Sequence, residues 1–170
     1  MKIPPNVQAM WFEYSDLVGG VEDERFYEAF NFGDSPTMAD ELAQLVVNGV
    51  KRATAGAVWV YAAGGQPLPK PGDLSVVLDA QDRPLCIIET TQVDVLPFDD
   101  VSAEFAATEG EGDGSLAYWQ QVHIAFFTRE CEQSGRTFST DMEISCERFR
   151  VVYPVNAGTA STGATRSPLP

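Results

Sequence analysis

The period of the hydrophobic pattern changes at residues 49–54, and that change constrains the fold more than any other feature of this chain. Upstream, Val7, Met10, Trp11, Tyr14 and Leu17 recur at three- and four-residue steps, which predicts helix over residues 5–30, with Phe26, Tyr27 and Phe30 extending an aromatic cover. After a break at Asn31-Phe32-Gly33-Asp34, Ser35 has the chemistry of an N-cap and Pro36 suits a first helical position. Met38, Leu42, Leu45 and Val46 then form one apolar face, and Gly49 is a C-terminal stop. Downstream of Thr54 the pattern is that of strands. Ala57-Val58-Trp59-Val60-Tyr61 is β-prone, and Leu74–Asp79 and Pro84–Val95 read as a hairpin joined by residues 80–83. Residues 64–67 and 69–73 are turns. A short helix over Val101–Thr108, a glycine-rich loop, a long helix from Ser115 to about Ser134 and a closing strand over Glu143–Tyr153 complete the order. Helices, strands, helices, strand predict an α+β, barrel-like fold rather than a doubly wound sheet.

With 170 residues, 44% of them hydrophobic, the chain can build one globular core. Its start, Met-Lys-Ile-Pro-Pro, lacks the apolar stretch of a signal peptide, and no run of apolar residues is long enough for a membrane span. A cytoplasmic protein is therefore expected. Cys86, Cys131 and Cys146 fit neither a CxxC pair nor a zinc pattern and read as buried, reduced thiols. Eleven basic against twenty-five acidic residues give a net charge of −14. Such a chain repels duplex nucleic acid at long range, so a nucleic-acid partner must be short, single-stranded or held in a local pocket.

Lys51 and Thr54 lie three residues apart at the boundary between helix and strand. A lysine there can hold an oxyanion or, desolvated, activate a hydroxyl. The structural alternative is a lysine that complements a helix C-terminus, followed by a threonine that opens a strand. The loop Glu109-Gly110-Glu111-Gly112-Asp113-Gly114 alternates acid and glycine without the ligand spacing of an EF-hand, and its acids would repel phosphate. Glu111 and Asp113 read as acids of an exposed turn before a helix N-terminus, whereas Glu109 ends the shorter helix and can face inward. His123 shares a helical face with Trp119 and Phe126 and is a candidate pocket wall beside Tyr118 and Trp119. No second histidine supports a zinc site. Arg148 and Arg150 share one face of the last strand, where they can hold phosphate or pair with the abundant acids.

Taken together, Phe32-Gly33-Asp34-Ser35, the helix beginning Ala39-Asp40-Glu41-Leu42, Gly49-Val50-Lys51-Arg52-Ala53-Thr54, Lys70-Pro71-Gly72-Asp73, Phe105–Gly110, Gly114–Trp119 with His123, and Cys146–Tyr153 resemble the ASCH domain family. The likeness is to its small stand-alone bacterial members. It implies a PUA-like fold, a small β-barrel flanked by helices, over residues 31–154. Residues 1–30 would be a helical extension packed on the domain, and residues 155–170 a disordered tail.

The resemblance also implies an RNA- or nucleoside-binding protein of RNA metabolism, with its ligand in a cleft beside residues 49–54. Some small members remove the acyl group from N4-acetylcytidine, and their motif carries over to Lys51, Thr54 and Glu109 as catalytic residues. Lys51 would deprotonate Thr54, Thr54 would attack the amide carbonyl, and Glu109 would position the base. In a purely binding reading, Lys51, Arg52, Arg148 and Arg150 would line a basic cleft, and Trp59, Tyr61 or Trp119 would stack a base of single-stranded RNA. A third reading is a ribonuclease using the same cleft, with a divalent metal held by the acidic loop; the other two need no cofactor.

Overall fold

The computed structural model describes residues 3–154; the tail expected from residue 155 lies outside them. Five strands, β1 (Phe26–Phe30), β2 (Ala53–Ala57), β3 (Leu74–Leu78), β4 (Pro84–Pro97) and β5 (Glu143–Tyr153), form one sheet in the order β1-β3-β4-β5-β2. Only β1 and β3 run parallel; the other neighbours are antiparallel. Five helices pack on this sheet: α1 (Gln8–Val18), α2 (Pro36–Val47), α3 (Val58–Gly64), α4 (Ala103–Glu109) and α5 (Leu116–Gln133).

All five residues of β3 are buried because both of its faces are covered. Leu74, Val76 and Leu78 pack with Val7, Trp11 and Tyr14 of the α1 region, whereas Val77 packs with Ala43 and Val46 of α2. A strand buried on both sides reads as a continuous apolar run rather than an alternating one. The third cluster, under α4 and α5, joins Ala53, Ala57, Ile144 and Cys146 of the sheet to Phe98, Phe105, Trp119 and Phe127.

The α+β class stands, but the sheet is open and the expected closed barrel does not form. Its edges, β1 and β2, do not pair with each other. Side chain and backbone from α3 and its exit occupy the region between them: the Tyr61 ring lies against Gly56 of β2, and the Pro67 carbonyl accepts the Tyr27 hydroxyl of β1 at 2.7 Å.

Two local assignments also differ. Residues 26–30 are a strand rather than the end of a helix, because Phe26 and Tyr27 are β-prone aromatics that bury when paired with β3. Residues 58–61 are helical rather than extended. The chain leaves β2 at Ala57, and α3 brings Trp59 and Val60 onto the core before Gly65 ends it in a left-handed conformation.

Candidate ligand pocket

Helix α2 stops as its sequence dictates, and that stop delivers Lys51. Gly49 takes a left-handed conformation (φ 73°), and the Val50 and Lys51 amides both donate to the Leu45 carbonyl, at 2.9 and 3.1 Å. The next residue ties this segment to α4 and β5. The Arg52 amide donates to the Thr108 carbonyl at 3.0 Å, and the Phe149 amide donates to the Arg52 carbonyl at 2.9 Å. The end of α4 is thereby fixed beside the end of α2, so Glu109 faces Lys51.

The lysine is 1% exposed and its ammonium lies between two carboxylates, Glu109 Oε1 at 3.0 Å and Glu111 Oε1 at 2.6 Å. It also sits 5.1 Å from the centroid of the Phe32 ring. Glu109 is equally buried, and each of its oxygens is engaged: Oε2 accepts the Trp119 indole N–H, and Oε1 faces His123 Nε2 at 3.6 Å as well as Lys51. Burial alone would raise the Glu109 carboxyl. The Lys51 ammonium, His123 and the Trp119 N–H together outweigh it and hold this acid below the usual carboxylate range. His123 is oriented by its own helix, donating through Nδ1 to the Trp119 carbonyl at 2.9 Å while its ring stacks on the Trp119 indole.

Glu111 reaches the lysine because the loop after α4 folds back sharply. Gly110 and Gly112 both have positive φ, and neither has room for a side chain. A Cβ on Gly110 would lie 2.5 Å from the Val50 carbonyl oxygen; one on Gly112 would lie 2.3 Å from the Tyr118 ring. Asp113, the next acid, accepts the Ser115 amide at 2.9 Å at the start of α5, and Ser115 caps that helix. Asp113 thus has the helix-start role read from the sequence, whereas Glu111 does not: it turns inward to the lysine.

Above this ionic cluster lies a cavity of about 740 Å³, walled by Phe32, Met38, Leu42 and Leu45 on one side and by Tyr118, Val122 and Phe126 of α5 on the other. Lys51, Thr54, Glu109, Glu111 and His123 line it as well. Of the residues singled out from the sequence, the structure therefore brings together Lys51, Thr54, Glu109, Tyr118 and His123. Trp119 lies behind the lining, buried, and holds Glu109.

The remaining candidates lie elsewhere. Arg52 is exposed and engages its neighbours through its backbone. Trp59 packs beneath Arg136. Arg148 pairs with Asp94 and Glu104, and Arg150 with Glu89. Glu111 was missed as a pocket residue; its one signal is that glycines flank it two residues beyond Glu109. The apolar walls from α2 and α5 were legible only as helix faces.

A buried lysine between two glutamates thus lies at the base of a half-open, largely apolar cavity on an open α+β sheet, a shape and size that suit a small ligand. The model of the ASCH domain family matches residues 28–153, and the chain belongs to that family. Crystal structures similar to it include the following two. An ASCH domain from Lactobacillus crispatus JV V101 shares 36% identity over 90% of this chain and 98% of its own, with a TM-score of 0.81. Protein EF3133 of Enterococcus faecalis V583 shares 36% identity over 86% of this chain and 88% of its own, with a TM-score of 0.79. No curated protein matches the chain.

Proposed function

We propose that this ASCH domain is an RNA- or nucleoside-binding protein that takes one nucleobase, free or presented by a single strand, into the cavity above Lys51. The observation that carries this reading is the Lys51–Glu109–Glu111 cluster at the base of a cavity whose volume suits one small ligand. Aromatic residues Phe32, Tyr118 and Phe126 supply faces against which a flat ring can pack, and the carboxylates supply acceptors that fix its edge.

A groove that tracks a phosphate backbone has less support. Such a groove needs unpaired cations along its length. Here the one lysine in the cavity is paired, and the arginines of β5 are paired outside it. A metal-assisted ribonuclease has no ligand set to draw on, because no group of three His, Cys, Asp or Glu among the described residues is placed to hold an ion.

One observation favours a second reading, hydrolysis of an N-acyl group. Thr54 lines the same cavity as Lys51 and Glu109. In that chemistry the Thr54 hydroxyl attacks the acyl carbonyl while a neutral Lys51 accepts its proton; the C–N bond then breaks as the amine takes that proton and leaves, and water hydrolyses the Thr54 ester to release the acid. Lys51 Nζ donates to the two carboxylates, and among the described residues no hydrogen bond joins it to the Thr54 hydroxyl, so binding is the first reading.

The test is isothermal calorimetry with unmodified nucleosides, N4-acetylcytidine and short RNA oligomers, paired with chromatography for product. Wild type is expected to bind a nucleoside saturably, and Tyr118→Ala, which removes an exposed wall residue, to weaken that binding. Product formed by wild type and not by Thr54→Val would establish the second reading. Binding of oligomers with no response to single nucleosides, unchanged in Tyr118→Ala, would overturn the pocket reading.

A further inference from the structure

The charge of the cavity lining states what it accepts. Three glutamates, Glu41, Glu109 and Glu111, face one lysine, which leaves a negative lining in either form of His123: one formal negative charge with the ring counted as a cation and two with it counted as neutral. No arginine contributes to the lining. Lys51 cannot serve as a free anion site while its ammonium is held at 3.0 and 2.6 Å by two carboxylates.

The acceptors, by contrast, are not all used. Both oxygens of Glu109 are engaged, but only Oε1 of Glu111 carries a hydrogen bond among the described residues, leaving Oε2 open. Glu111 is also the reachable member of the cluster, its side chain 15% exposed against 1% for Lys51 and 2% for Glu109. A ligand approaching the base of the cavity meets Glu111 first.

From this we infer that the cavity selects neutral or cationic aromatic ligands bearing N–H donors, that Glu111 is the residue that reads the donor, and that phosphate is kept outside. The inference deepens the nucleobase reading and, for nucleosides, rests on it. A like charge brought into a partly enclosed, low-dielectric site is penalised far more than in water. A donor paired with a carboxylate, in turn, makes one of the stronger hydrogen bonds. Aromatic walls add cation–π attraction for a cationic ring.

Two pairs of probes test it by nuclear magnetic resonance titration of the indole N–H signals. The first pair, benzamidine and benzoate, has matched size and opposite charge and does not depend on the nucleoside reading. Benzamidine is expected to shift the Trp119 signal saturably and benzoate to leave it in place. In Glu111→Gln the preference is expected to shrink by about tenfold, the order of effect of removing one nearby partly buried charge. The second pair is adenosine and its 5′-monophosphate, of which the nucleoside is expected to bind more tightly.

Equal affinity for benzamidine and benzoate, or tighter binding of benzoate, would overturn the charge selection. An unchanged preference in Glu111→Gln would overturn the role given to that residue. If Glu111→Gln does not fold, Glu41→Gln at the exposed rim tests the charge selection with a smaller expected change. Glu111→Asp, which keeps the charge but withdraws the acceptor, then tests the role of Glu111: weaker benzamidine binding is expected, and unchanged binding would overturn that role. Benzamidine binding without response to any nucleoside would leave the charge selection standing and reject the nucleobase reading.

Discussion

Removing the Lys51 ammonium without its volume strands a carboxylate that folding has buried. At 3.0 and 2.6 Å, and an effective dielectric near 20, each ion pair is worth about 5–6 kcal/mol before desolvation is subtracted. Measured losses on breaking a buried pair are about 3–5 kcal/mol, and Lys51→Met is expected to fall in that range in urea unfolding at pH 7. Lys51→Met/Glu109→Gln should be more stable than Lys51→Met alone, since the second change removes the stranded charge.

The pH dependence gives an independent sign. In wild type the folded-state pKa of Glu109 is depressed, so its contribution is present above the unfolded value of 4.5 and is lost as pH falls below it. In Lys51→Met the largest cause opposing burial is gone, only His123 and the Trp119 N–H still oppose it, and that pKa rises. The variant's deficit should then shrink as pH falls through the acidic range and grow as pH rises. A Lys51→Met protein within about 1 kcal/mol of wild type at pH 7, or a double variant less stable than the single one, would refute this reasoning.

A second buried acid makes an opposite prediction. Burial, with the nearby Glu28 and Asp73 carboxylates, pushes Glu147 up to about 7 despite the Thr90 hydroxyl donated to it at 2.6 Å. Its folded-state pKa is raised, so wild type should lose stability as pH rises from about 4.5 to about 7; Glu147→Gln should be the more stable protein at pH 8 by roughly 1–3 kcal/mol and lose that advantage at pH 4, read from urea midpoints. Gly110→Ala should cost on the order of 1–3 kcal/mol or more, because its Cβ meets the Val50 carbonyl, whereas Gly19→Ala, with equally positive φ and open space around it, should cost only about 1 kcal/mol by thermal unfolding. Trp119→Phe keeps the ring in its stack with Phe98 and His123 but removes the N–H that Glu109 accepts; a loss of about 1–3 kcal/mol is expected by chemical denaturation. Arg148→Ala breaks pairs outside the cavity with Asp94 and the exposed Glu104, and should leave nucleoside affinity unchanged in calorimetry.

What could be read from the sequence follows from how local each signal is. The cap at Ser35 and the stop at Gly49 act within a turn or two, and the helix they bound forms where periodicity puts it; the caps at Ser102 and Ser115 emerge only from the structure. Lys51 stood out because it follows such a stop. Its burial did not, since that depends on Glu109, fifty-eight residues away, reaching it through the contact between Arg52 and Thr108. In sequence Glu111 reads as a solvated turn because alternating acid and glycine carries no inward direction; the structure supplies it through Gly110 and Gly112, where a Cβ would collide with the Val50 carbonyl and the Tyr118 ring. The aromatic run at Phe26–Phe30 was extended from a helix because spacing alone cannot register the parallel partner β3. The barrel stayed open for a similar reason: whether β1 meets β2 depends on where Tyr61 and Pro67 come to rest.

The chain has three tryptophans, and they occupy different parts of the fold: Trp11 in the core under α1, Trp59 beneath Arg136, and Trp119 bonded to Glu109 behind the cavity. Titrating labelled protein with a nucleoside while following the three indole N–H resonances therefore tests the site directly. A saturable shift of the Trp119 resonance, with Trp11 and Trp59 unmoved, is the expected result. A shift confined to Trp59, or saturable binding that leaves Trp119 in place, would contradict the assignment of the cavity above Lys51 as the ligand site.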